Sequence, residues 1–155
     1  QRQMCIRDRE DALRASAGVP AGFDLQPRFK TATLHGDLRA MGLSAEAIAG
    51  LPRCPELPDL DSPCACLGVL YVIEGATLGG QVLRREMLAR LGLDASSGAA
   101  FLDVYGADTG RRWRDFLDYL CSRPLDAGER AAVVRAARST FICFERWLHG
   151  QEVLS

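Results

Sequence analysis

An all-α fold, a multi-helix bundle, follows from three features of the sequence. Apolar residues recur at i, i+3/i+4 spacing through its longest segments. Glycine, proline and serine stand where those segments should start and stop, and no stretch alternates apolar with polar residues as a strand would. Each element can be justified in turn. Residues 10–17, EDALRASA, are good helix material that ends at Gly18 with Pro20 beyond it. Residues 22–33 are irregular. A short helix over 34–41 ends at Gly42, and another starts with Ser44 as N-cap and stops at Gly50. Pro52, Pro55, Pro58 and Pro63 make residues 51–63 an extended connection.

Ser62-Pro63 then reads as N-cap and first position of the longest helix, reaching to about Leu91, with Leu67, Leu70, Tyr71, Leu78, Val82 and Leu88 on one side. A loop or short helix over 94–105 leads to a helix at 110–122 that turns Trp113, Phe116, Leu117 and Leu120 inward. Asp126 and Glu129 are spaced as a capping box for the last helix, whose stripe is Ala132, Val133, Ala136, Ala137, Thr140, Phe141, Phe144, Trp147 and Leu148.

Composition excludes some functions. With 19 Lys+Arg against 20 Asp+Glu in 155 residues, binding nucleic acid through bulk positive charge is not expected. The longest apolar run is broken by Glu74 and several glycines, so no membrane span is expected either. The six cysteines have no framework-like spacing and read as reduced thiols of a cytoplasmic protein. Cys64 and Cys66 invite a metal reading, but structural zinc favours C-x-x-C pairs, and two helical residues two apart point about 200° away from each other. His35 and His149 supply no nearby second pair. No metal site is assigned.

Residues 1–9, QRQMCIRDR, lack apolar periodicity and are expected to be a non-native or disordered tail. The helical domain is placed at 10–150, with a second tail at 151–155.

Gly75, Gly79 and Gly80 lie inside the longest helix, where each costs about 0.5–1 kcal/mol relative to alanine. Close packing against another helix would account for them. So would a flat ligand brought to van der Waals distance of the backbone.

Residues 74–83, EGATLGGQVL, resemble the distal-helix motif of haem oxygenases, in particular the bacterial, biliverdin-producing branch associated with phytochromes. The likeness extends outward to Arg28, Leu34, Asp37, Leu38 and Gly42. It continues through Tyr105-Gly106, Gly110, Trp113 and Phe116, and on to ARSTFICFERWL at 137–148, so that it spans residues 10–150.

This resemblance implies haem as both substrate and cofactor, held between a proximal and a distal helix. Dioxygen and electrons from a ferredoxin, flavodoxin or other reductase would open the ring to biliverdin, carbon monoxide and ferrous iron. A bacteriophytochrome is a candidate acceptor of the biliverdin. The resemblance places Gly75 and Gly79 toward the iron, with Gly80 permitting a bend. Tyr71 and Phe141 become ring contacts, and Arg112 is preferred over Arg111 and Arg114 for the propionates.

Two departures stand out. At position 76, where relatives carry an acid or serine, this chain has Ala76, which leaves Thr77 or backbone carbonyls to hold waters. The helix that carries the family's proximal histidine has no counterpart in residues 1–9, so a domain lacking its first helix and impaired in haem binding and turnover is expected. Neither His35 nor His149 is assigned as its replacement.

The alternative is a non-catalytic haem-oxygenase-like helical protein that binds another ligand or acts as an interaction module. Thiaminase-like chemistry would need an acid–cysteine–tyrosine constellation, and a di-iron site would need Glu-x-x-His pairs. Neither pattern is evident.

Overall fold

The computed structural model describes residues 5–150. Among these there are six α-helices, three short 3-10 turns and no strand: α1 (Cys5–Ala15), α2 (Thr31–Ala40), α3 (Ala45–Ala49), α4 (Pro63–Leu91), α5 (Thr109–Cys121) and α6 (Ala127–Gly150). The 3-10 turns are Gln26–Arg28, Ala100–Asp103 and Gly106–Asp108. The all-α expectation holds.

Local signals set most boundaries. Ser44 and Ser62 cap α3 and α4 by accepting hydrogen bonds from the amides of Ala47 and Ala65, and Pro63 occupies the first turn of α4. Gly92 ends α4 in the left-handed conformation, at φ 66°, that glycine adopts without a Cβ penalty. Asp126 and Glu129 form the reciprocal capping box, each side chain accepting from the other's amide at 2.8 Å.

One boundary moves. The expected tail over residues 1–9 is corrected for residues 5–9, which are the first part of α1. That helix buries residues 5–10 and Leu13 against the rest of the fold. Tails at residues 1–4 and 151–155 fall outside the described residues.

Helix α4 is the axis of the molecule, with α6, α5 and the Ala100–Asp103 turn packed against it. Leu67, Val69, Leu70 and Ile73 of α4 are buried; Val69, Leu70 and Ile73 join Leu13, Leu34, Leu38, Ile48 and Phe116 in the main core. Burying each such side chain contributes on the order of 1.5–3 kcal/mol.

Where α6 crosses α4, it does so at Gly68. A Cβ there would collide with the backbone of Val133 and Ala137 and with the Ala136 methyl. This close-packing glycine lies before the three that the sequence draws attention to. A second, smaller cluster joins Cys5 of α1, Cys54 of the proline-rich connection, and Cys143 and Trp147 of α6.

By length and composition α4 is also long and apolar enough to cross a membrane, which corrects the expectation that no segment qualifies. Its packing is that of a core helix. Glu74, at mid-helix, is buried in ionic contact with Arg28 and Lys30 from a neighbouring segment.

Candidate functional site

At about 100° per residue, α4 presents two unlike faces beyond Gly68. Leu70, Ile73, Thr77 and Gly80 share one side, which meets the core and the Ala100–Asp103 turn. Tyr71, Gly75, Leu78, Gly79 and Val82 share the other. On this second side Tyr71 is 38%, Leu78 40% and Val82 61% exposed. The apolar stripe read from the sequence is therefore split: Leu67 and Leu70 are buried, whereas Leu78, Val82 and Leu88 are open. On α6, Phe141 is 57% exposed.

The glycines fall into distinct roles. At Gly79 an added Cβ would meet no atom within 4 Å. At Gly75 it would sit 3.4 Å from the ring of Trp113, which itself lies 5.3 Å, centroid to centroid, from the ring of Tyr71. Trp113 thus borders the open face and shelters Gly75. Gly80 turns the other way, where a Cβ would come within 2.7 Å of the Leu102 carbonyl oxygen. Its role is close packing against the Ala100–Asp103 turn. Asp37 of α2 holds that turn in place by accepting from the amides of Ala100 and Phe101 at 2.9 and 2.7 Å.

Thr77 lies about 160° round the helix from Gly79. Its hydroxyl donates to the Glu74 carbonyl at 2.6 Å, so it does not reach over the glycine face. Arg112 lies near the pocket edge, its guanidinium over the ring of Tyr105 at 4.8 Å and donating to the Pro27 carbonyl at 3.3 Å. The structure thus brings Tyr71, Gly75 and Gly79 onto one side of α4, and Phe141 is exposed on α6 with no contact that joins it to them. Gly80 and Thr77 lie away from it.

Directly beneath this face is an ionic cluster. The Glu74 carboxylate accepts from Arg28 Nη1 at 2.5 Å, from Lys30 Nζ at 2.8 Å and from the Tyr105 hydroxyl at 2.9 Å. Burial lowers the pKa of Lys30 despite Glu74 beside it. Burial, reinforced by the neighbouring Glu74 charge, raises that of Tyr105. Next along the chain, Glu10 accepts from the amides of Lys30 and Thr31 and from the Thr31 hydroxyl, at 2.6, 3.1 and 2.7 Å. Two anions therefore hold the segment that delivers both cations.

Sequence reasoning did not assign site roles to Glu74, Lys30 or Trp113. Two signals pointed to them: a lone carboxylate in an apolar helix, and an inward tryptophan one helix away.

The described residues form no cluster of metal-ligating side chains. His35 lies on α2; its charged neighbours are Arg39, Arg7 and Asp11, and burial lowers its pKa. His149 lies at the end of α6. Cys64 is half-buried, and Cys66 is turned toward Ser16 and the Leu60 carbonyl.

An apolar face with a Cβ-free centre, aromatic borders and no carboxylate, histidine or lysine among its five residues suits one broad side of a planar, largely apolar ligand. Among known proteins, the family model described as heme oxygenase matches residues 29–150. A heme oxygenase of Xanthomonas campestris pv. campestris (strain 8004) is 32% identical over 127 residues, covering 82% of this chain and 72% of that protein. No solved structure gives a significant match.

Proposed function

The chain belongs to the haem oxygenase family, and from that premise we propose that it takes haem against the open face of α4 and serves its oxidative cleavage to biliverdin, carbon monoxide and ferrous iron. The observation that carries this reading is the bare backbone at Gly79, with no atom within 4 Å of where a side chain would begin.

Haem is the substrate, and its iron supplies the oxygen chemistry. The protein positions it. Gly79 lets the backbone approach the ring plane, and Gly75 does the same beside Trp113. Tyr71, Leu78 and Val82 supply apolar contact, and Phe141 contributes from α6. Arg112 provides a cation for the propionates at the α5 edge. The five face residues include no carboxylate, histidine or lysine, and Tyr71 is the one that carries a hydroxyl, so the strong acid–base pair that would promote O–O heterolysis is missing from this face.

Gly80 and Thr77 act in this reading by fixing the course of α4, and no axial ligand is assigned to His35 or His149. Electrons come from a ferredoxin- or flavodoxin-type reductase or an equivalent donor. The phytochrome-associated likeness makes a bacteriophytochrome the biliverdin acceptor.

The test is a hemin titration of the chain with and without imidazole, followed through the Soret band, with ascorbate then added under air. Saturable binding that appears or tightens with imidazole is the expected result, and loss of the Soret band with rising biliverdin absorbance would add that the glycine face directs oxygen onto the ring. Binding without turnover would favour the non-catalytic alternative. No saturable binding in either condition would overturn the reading for this chain.

A further inference from the structure

Apart from the haem face, the described part of the molecule clusters the thiols Cys5, Cys54 and Cys143 beside Trp147. Cys54, in the proline-rich connection, and Cys143, on α6, lie 89 positions apart in the chain, yet their sulfurs approach to 3.6 Å. Both are turned onto the same acceptor, the Glu56 carbonyl, at 3.3 Å from Cys54 and 2.6 Å from Cys143. We propose that Cys54 and Cys143 are a dithiol redox site that closes reversibly to a disulfide by exchange with a low-molecular-weight disulfide.

Three observations support this. First, a sulfur–sulfur bond of about 2.05 Å requires an approach of roughly 1.5 Å. Cys54 belongs to no helix or strand, so the connection can shift without breaking helical hydrogen bonds. Second, a cavity of about 130 Å³ reaches Cys143, lined also by Glu56, Pro58, Ser139, Ile142 and Arg146, and gives a small disulfide a route to this sulfur. Third, the two thiols are unequal. Burial and the neighbouring thiol push Cys54 up to about 11, whereas Arg9 Nη2 stands 3.2 Å from the sulfur of Cys143. The cavity is lined by Cys143 and not by Cys54, so Cys143 meets the small disulfide first.

The exchange balances without an external base or metal. Cys143 loses its proton to solvent and attacks one sulfur of the small disulfide; the S–S bond breaks, and the leaving thiolate takes up a proton. Cys54 loses its proton to solvent and attacks the Cys143 sulfur of the mixed disulfide, releasing the second thiolate. Two protein thiols are oxidised, and one small disulfide is reduced to two thiols. The product ties the connection that leads into α4 to the helix that crosses it at Gly68.

The experiment incubates the reduced chain with glutathione disulfide, blocks remaining thiols, digests without reductant and maps linked peptides by mass spectrometry. A Cys54–Cys143 linkage that dithiothreitol reverses is expected, together with persistence of that linkage in Cys121→Ser. In Cys54→Ser, glutathione should accumulate on Cys143; in Cys143→Ser, Cys54 should take up at least tenfold less glutathione. Circular dichroism of each variant checks that it is folded, and the wild-type linkage map stands without them. The proposal is overturned if the wild-type chain forms no Cys54–Cys143 link, if Cys143 pairs instead with Cys5, or if Cys54→Ser links Cys143 to another cysteine of the chain as readily as wild type links it to Cys54.

Discussion

The carboxylate of Glu74 lies 2.5 Å from the guanidinium of Arg28, one residue along α4 from the glycine that opens toward Trp113. A charge in the interior and a bare patch of backbone on the surface are thus adjacent positions of one helix. The ion cluster fixes the height and rotation of that helix where the ligand face begins.

Removing this anion should be costly. In Glu74→Ala, Arg28 and Lys30 keep their burial but lose the charge that compensates it. A loss of about 3–5 kcal/mol is expected. Urea denaturation followed by circular dichroism measures it, and a loss below about 1 kcal/mol would show that the cluster does not hold α4.

Gly79→Ala should move stability and ligand binding in opposite directions. No neighbour opposes the methyl group, and a mid-helix alanine is about 0.8–1 kcal/mol better than glycine, so the thermal midpoint rises. Hemin affinity falls on the order of tenfold, equivalent to about 1.4 kcal/mol, because the same methyl stands between backbone and ring. Unchanged affinity would remove Gly79 from the site.

The opposite sign is expected at Gly68→Ala. The added methyl meets the backbone of α6, which cannot rotate away as a side-chain tip can. Because the contact is with backbone, overpacking falls at the upper end of its usual range, about 2–3 kcal/mol, and outweighs the helix-propensity gain of about 1 kcal/mol, for a net loss near 1–2 kcal/mol by chemical denaturation. A stabilised variant would mean that α6 does not cross α4 at this point.

Tyr105 should resist ionisation. Burial and Glu74 raise its pKa above the ordinary 10.0, so the folded state keeps a proton that the unfolded state releases. The stability this group contributes is complete below pH 10 and declines as pH rises above it. Absorbance near 295 nm should show a late-titrating component in the native chain, absent in urea and absent in Tyr105→Phe. Its presence in Tyr105→Phe would assign it elsewhere.

Much of this protein was legible in its sequence because local chemistry dictates it. Ser62-Pro63, Gly92, and the Asp126–Glu129 box mark helix ends wherever they occur, since they satisfy amides and carbonyls of their own turn. The segment 74–83 marks the ligand helix and, by resemblance, the family. The first helix was misjudged because Cys5–Arg9 lacks apolar periodicity; its buried charges are satisfied by distant partners, as where the carboxylate of Asp8 meets Arg53 and the amide of Cys54.

What the sequence by itself determined is the all-helical architecture and those helix ends that carry their own caps, such as Ser62-Pro63 and the Asp126–Glu129 box, all consequences of interactions within a few residues. Only the tertiary structure decided which glycine does what: Gly68 under α6, Gly80 under the Leu102 carbonyl, and Gly79 facing open space. A missing side chain looks the same in every sequence context. Its meaning depends on the atoms that another part of the chain brings to the position the Cβ would occupy.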